Sequence, residues 1–366
     1  MILATDLVRR APKVLLHDHL DGGLRPATII DLAREHGYAD LPTHDEAALA
    51  TWFRRGADRK SLELYLETFA HTTGVMQHAS AMVRVAAECV EDLAADGVVY
   101  AEIRYAPELS SAAGMSLDDA ITANLEGLRL GMERAAAAGH AIEARGIVCG
   151  MRNGPNVLAA AEAALRHRDE GVVGFDIAGP EAGFPPGAHG DAFRLLRRAS
   201  FPFTIHAGES YGPVSIREAL AECGASRIGH GVHIADDITP LPGGEPPILG
   251  RLARYVRDRR IPLELCPTSN VHTGVCDTVA AHPFDRLFRT GFNVTVNTDN
   301  RLMSGVSVSS EMAALSEAFG YGLDDLEELA INALEASFIS LPEREALLGE
   351  VLWPAYEDLR EEAPGA

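Results

Sequence analysis

Along most of the chain, short runs of β-branched and apolar residues alternate with longer stretches in which alanine and leucine recur at helical spacing. The short runs predict strands at Val14–Leu20, Val98–Ala106, Ala141–Gly150, Val172–Ala178, Phe203–Ala207, Arg227–Gly231, Pro262–Cys266 and Asn293–Asn297. The longer stretches predict helices between them, among them Ser80–Ala95, Leu117–Ala138, Asn156–Arg168, Ala188–Ala199, Val214–Ala221, Leu249–Arg259 and Ser309–Phe319. Strands that alternate with helices of these lengths imply βαβ units and a parallel sheet. Eight such units in roughly 300 residues suit a closed α/β fold, the (β/α)8 TIM barrel, better than a doubly wound sheet. No GxGxxG follows the first strand, which weakens a dinucleotide-binding reading further.

Two regions depart from the alternation. After the first strand comes a helical insertion from Ile29 to Gln77, in which Leu62, Tyr65, Leu66 and Phe69 form one apolar face. That face suits a helix packed on the core or a lid over the barrel mouth. The tail from Leu323 to Glu362 reads as extra C-terminal helices, with Pro342 and Pro354 as breaks. The Pro/Gly-rich stretches Pro180–Pro186 and Pro240–Gly250 read as loops rather than linkers, and no repeat is found, so residues 1–366 are expected to form a single domain.

Composition narrows the function classes. A chain of 366 residues, 47% hydrophobic and 23% charged, can bury a substantial core. Its net charge of −21 argues against tracking the phosphates of nucleic acid and against a basic membrane-surface protein, and leaves room for a small neutral or cationic substrate. No run of about 18 apolar residues is present, so no spanning helix is expected. Arg9, Arg10 and Lys13 interrupt the apolar runs near the N-terminus, so no signal peptide is expected there either. Five scattered cysteines, odd in number and without a CxxC pair, suggest reduced thiols and a cytoplasmic location.

The candidate chemistry collects at strand ends. His17 and His19 lie in the first strand, Glu102 and Arg104 in the second, and Asp176 near the end of the fourth. His206 and Glu209 follow on the fifth, His230 on the sixth, Glu264 in the seventh, and Asp299 and Asn300 after the eighth. A barrel gathers the C-terminal ends of its strands on one face, so these distant residues are expected to converge. His17 and His19 are two apart, and on a strand both imidazoles point the same way, into the barrel. Asp18 then points away, without an assigned role. Histidine nitrogens and carboxylate oxygens are the donors of a catalytic metal site that keeps room for water. H-x-H alone is weak; joined to His206 and Asp299 it is much stronger.

These residues sit in recognisable segments. LLHDHLDGGLRP resembles the opening metal motif of the adenosine deaminase family of the amidohydrolase superfamily, and TIHAGES, RIGHGVH, LELCPTSN, VTVNTDN and INALEASF resemble its later motifs in order. The likeness runs from Lys13 to about Phe338 and is nearest to bacterial, actinobacterial-type members.

The resemblance implies hydrolytic deamination of adenosine and 2′-deoxyadenosine to inosine and 2′-deoxyinosine with release of ammonia, a reaction of purine salvage. It implies one zinc ion per subunit, held by His17, His19, His206 and Asp299, with a water completing the site. Glu209 matches the proton donor to purine N1, and His230 the histidine that orients the attacking water and assists its deprotonation. Glu264 is expected to hold His230 by a hydrogen bond, and Asp176 to sit behind the ligands. Gly179 matches the glycine whose N–H meets purine N3, and Asp21 the aspartate that binds the ribose 5′-hydroxyl. Asn300 stands where many relatives place an aspartate that donates to purine N7, and an amide donates without needing a proton. Thr268 replaces an aromatic residue of many relatives. The partners implied are a purine nucleoside and water, with no nucleic acid and no membrane; oligomeric state is left open. Adenine, an N6-substituted adenine compound or aminodeoxyfutalosine are the alternative substrates, and a non-catalytic binding barrel is disfavoured because every ligand position is filled.

Overall fold

The apolar runs become strands in the order in which they occur. The computed structural model describes residues 3–363. In it β1 (Lys13–His19), β2 (Val98–Tyr105), β3 (Glu143–Met151) and β4 (Val172–Ala178) form one parallel sheet. The second parallel sheet holds β5 (Thr204–Ala207), β6 (Arg227–His230), β9 (Leu263–Leu265) and β10 (Val294–Val296); β7 (Ile238–Thr239) and β8 (Ile248–Leu249) form a small antiparallel pair apart from both. Two seams close the sheets into a barrel. At one, Phe175 bridges to Phe203 and its N–H donates to the Pro202 carbonyl at 3.3 Å. At the other, Asp18 bridges to Asp299. There the His19 N–H donates to the Asp299 carbonyl at 2.7 Å, and the Asp299 N–H to the His17 carbonyl at 3.0 Å.

The strands are buried along nearly their whole length, as expected when helices cover a parallel sheet. The covering helices show why they form where they do. In Ala79–Ala95 the buried residues Met82, Val85, Ala86, Cys89, Val90 and Leu93 recur every three or four positions. Burying each of the larger ones stabilises the fold by roughly 1.5–3 kcal/mol. Leu117–Ala137 starts at a capping box, with Ser116 Oγ accepting from the Asp119 N–H and the Asp119 carboxylate from the Ser116 N–H.

Three details differ from the sequence reading. The apolar face Leu62–Phe69 is split between the helices Leu62–Leu66 and Phe69–Val75, because the Thr68 hydroxyl donates to the Tyr65 carbonyl at 2.7 Å and tightens the last turn. Pro240–Gly250 includes β8 and so is more than a loop. Neither tail proline breaks a helix. Pro342 lies in the first turn of Leu341–Leu347, where a missing N–H is harmless. Pro354 follows a wide π-turn, Leu348–Leu352, that carries the helical course into Trp353–Glu362.

Candidate metal centre and active site

β1, β5 and β6 deliver histidines to one end of the barrel, and the turn after β10 delivers Asp299. His230 and Asp299 adopt left-handed backbone conformations, with φ of 58° and 57°. For residues with a Cβ this costs about 1–2 kcal/mol each, and such strain gathers at functional sites. One donor atom from each of His17, His206, His230 and Asp299 lies within 4.8 Å of the others. His19 adjoins this group, its Nε2 lying 3.2 Å from His206 Nε2 and 3.4 Å from Asp299 Oδ1.

The carboxylates behind the rings show which nitrogens face inward. His17 Nδ1 is 3.0 Å from Glu264 Oε2, and His206 Nδ1 is 2.8 Å from Asp176 Oδ2. A carboxylate accepts, so each Nδ1 carries the proton and each Nε2 turns a lone pair towards the cluster. His17 Nε2 is fully buried and has no hydrogen-bond partner. Lone pairs converging in this way, with the Asp299 carboxylate beside them, suit a cation between them. With His19 beside it, the cluster offers four histidines and an aspartate, of which three histidines and the aspartate suffice for a buried metal site.

Behind it runs a lattice of buried charges. Arg104, fully buried, donates to Asp176 at 2.7 Å, to Glu264 at 2.8 Å and to the Leu16 carbonyl at 2.6 Å. Arg227 donates to Glu264 and to Glu102, both at 2.6 Å, and stacks on Phe338. Burial opposes ionisation of Asp176, yet His206 and Arg104 outweigh it and hold that carboxyl well below the usual range. Glu264 is depressed likewise, Arg104 and Arg227 overcoming its burial.

Above the metal cluster lies a cavity of about 350 Å³, within the range for small-molecule sites. Leu62, Tyr65, Leu66 and Phe69 line it, so the apolar face of the insertion does cover the barrel mouth. Glu209 reaches in from the turn after β5, its Oε1 3.7 Å from His230 Nε2. Burial, then the charges of Asp299 and Glu181, push its carboxyl well above the ordinary value. Burial also raises Asp21, to about 7. Asp21 Oδ1 and Asn300 Oδ1 are both buried without a partner. Asn300 fits only because residue 22 is glycine: a Cβ there would fall 1.9 Å from Asn300 Oδ1. Gly179, at φ 103°, also lines the cavity, where a Cβ would press on Met151 and Asn153 at 3.2 and 3.3 Å.

The adenosine deaminase family profile matches residues 12–353. The chain belongs to the adenosine deaminase family. Within it, an adenosine deaminase from Mycobacteroides abscessus is 59% identical over 349 residues, covering 95% of this chain and 96% of that one. Adenosine deaminase 1 of Streptomyces coelicolor is 57% identical, covering 98% and 90%. Among solved structures, an amidohydrolase from Burkholderia ambifaria with bound zinc superposes with a TM-score of 0.83 at 25% identity, covering 99% of this chain and 95% of that one.

One expectation is corrected. Glu264 does not hold His230. It pairs in register with Gly229, one residue short of His230, and its carboxylate is taken by His17, Arg104 and Arg227. His230 Nδ1 instead meets Asn270 Nδ2 at 3.1 Å. Asp18, left without a role, accepts from Thr298 at 2.7 Å and from Arg301 at 3.0 Å at the barrel seam.

Sequence reasoning missed four further residues. Ser269 and Asn270 lie on the helix Pro267–Thr273, and Ser269 donates to Asp299 Oδ2 at 2.6 Å. Pro267, at the first turn of that helix, was the available signal. Glu181 accepts the backbone N–H groups of Gly208, Glu209, Ser210 and Tyr211 at 2.5–3.1 Å, clamping the turn that carries Glu209. Glu311 accepts the Thr268 N–H at 3.2 Å, and burial raises its carboxyl to about 7. A carboxyl whose folded value is raised above the unfolded one, about 4.3, takes stability away as pH climbs between the two. Glu311→Gln keeps the acceptor oxygen, so its stability advantage over the wild type is expected to widen from pH 5 to pH 8. A pH-independent difference in urea unfolding would show that Glu311 is not held protonated.

Proposed function

We propose that this member of the family hydrolytically deaminates adenosine and 2′-deoxyadenosine, releasing ammonia and leaving inosine or 2′-deoxyinosine. The observation that carries the reading is Glu209: a buried carboxyl with a raised pKa, beside a three-histidine, one-aspartate metal site, at the floor of a cavity of nucleoside size. Relatives named as adenosine deaminases, 57–59% identical over nearly the whole chain, support it.

One zinc ion per chain, held by His17, His19, His206 and Asp299, would supply the acidity that makes water a nucleophile at neutral pH. Asp176 and Glu264 fix the rings of His206 and His17 for that purpose. Glu209 gives a proton to purine N1, without which the aromatic ring resists attack at C6. His230 and Asp299 flank the attacking water and orient it. The Gly179 N–H meets purine N3, Asp21 the ribose 5′-hydroxyl, and the Asn300 amide purine N7. The protein acts as one barrel domain. All five cysteines are free, which suits the reducing cytoplasm in which we place it; among the described residues no helix is long and apolar enough to cross a membrane.

Asn300 motivates the second reading, a related 6-aminopurine such as adenine or an N6-substituted adenine, because an amide can also turn its oxygen to the ring. Asp21 disfavours a free base, which has no 5′-hydroxyl, and its carboxylate would repel a 5′-phosphate. A panel of 6-aminopurines, followed by absorbance with zinc analysis alongside, separates these: turnover of a modified base without turnover of adenosine overturns the adenosine reading. Asn300→Asp is expected to remain active and to gain a pH dependence favouring the acidic side, since a carboxyl donates to N7 only when protonated. An unchanged pH profile would count against the donor role.

A further inference from the structure

Behind His230, on the side away from the cavity, lies an unbroken chain of three hydrogen bonds. The Phe284 N–H donates to His282 Nδ1 at 3.0 Å, His282 Nε2 lies 3.1 Å from Asn270 Oδ1, and Asn270 Nδ2 lies 3.1 Å from His230 Nδ1. His282, Asn270 and His230 are all buried.

A backbone N–H can only donate, and that fact orders every link above it. His282 Nδ1 must offer a lone pair, so the proton of the neutral ring sits on Nε2. Nε2–H then faces the Asn270 oxygen, since the amide NH2 in its place would set donor against donor. The Asn270 NH2 is left to donate to His230 Nδ1, and the remaining proton of His230 sits on Nε2, facing Glu209 and the cavity. Burial lowers His282 to about 3, which keeps this link neutral at ordinary pH.

We propose that Asn270 and His282 are positioning residues which set the tautomer of His230, so that it presents an N–H donor to the cavity. The proposal rests on the deaminase reading for its consequence: His230 meets the attacking water as a hydrogen-bond donor that orients it, in place of the expectation that it assists the water's deprotonation. It also separates three of the clustered histidines by chemistry. His17 and His206, backed by carboxylates, turn lone pairs inward, whereas His230, backed by an amide NH2, turns a proton inward. His230 is therefore excluded from the metal's ligands although its ring lies 4.8 Å from that of His17.

The direct test is ¹⁵N NMR of histidine-labelled, zinc-loaded protein, with the His230 signals assigned by their loss in His230→Gln. A protonated Nε2 and an unprotonated Nδ1 are expected; the reverse pattern overturns the proposal. Kinetics supply the second test. His282→Leu breaks the chain and frees the Asn270 amide to turn, and should lower kcat at least tenfold with KM changed less than threefold. In His282→Gln the side-chain oxygen can accept from Phe284 and the amide nitrogen donate to Asn270, so it should recover most of that loss. Equal losses in the two variants would mark His282 as packing alone and overturn the relay. Should the wild-type protein leave adenosine untouched, the substrate reading falls, and the tautomer is still judged on the NMR pattern.

Discussion

A Glu209→Gln protein is expected to keep its zinc and to lose about three orders of magnitude in kcat, the middle of the span for general acid catalysis, roughly 10²–10⁴. The substitution preserves shape and hydrogen bonding, and removes only the transferable proton. Its effect is large because the site keeps that proton available: burial excludes water, and Asp299 and Glu181 oppose a further negative charge at Glu209. The backbone should not move, since the Glu181 clamp grips the turn through four main-chain N–H groups. Metal content together with the rate of adenosine absorbance loss decides the matter; a variant within a few-fold of wild type would remove Glu209 from the role of proton donor.

The second large effect is one of stability. Arg104→Met is expected to cost about 3–5 kcal/mol in urea unfolding, the range for stripping one partner from a buried ion pair. Among the described residues, buried Asp176 would lose its only arginine partner and buried Glu264 one of its two. An exposed pair such as Arg129–Glu133 offers the contrast, being worth only about 0.3–0.5 kcal/mol. The lattice also predicts acid behaviour. Asp176 and Glu264 are depressed, so their contribution is fully present above the ordinary carboxyl value of about 4 and is lost only as pH falls through the lowered ones. A loss under 1 kcal/mol on replacing Arg104 would mean that water or neighbouring donors replace its charge.

What could be read from the sequence divides along physical lines. Strands announced themselves because a buried parallel strand must be apolar throughout, and the metal-type residues because they interrupt that pattern at its ends. His17 and His19 were legible as a pair from the two-residue period of a strand. The partner of Glu264 was not, because one residue of register decides whether its carboxylate meets His17 or His230. Pro267–Thr273 was passed over because Thr-Ser-Asn carries no apolar period, and yet it holds Ser269 and Asn270. Glu181 follows Gly-Pro in a loop, where only the fold brings the carboxylate under the next turn. The break at Thr68 depends on one side-chain hydroxyl competing for a backbone carbonyl, which a hydrophobic pattern does not register.

The seam between β1 and β10 has a consequence for how the protein is made. His17 and His19 leave the ribosome near the start of the chain and Asp299 near its end, and they become neighbours only when the seam between the Asp18 and Asp299 backbones shuts. A nascent half-barrel can hold some of the donors and never the full set. A metal held by these donors would act as a fastener across the closure, tight for the finished barrel and weak for every shorter precursor. By mass action, resistance to unfolding should climb with free zinc, and maturation should stall at an open barrel in cells starved of it.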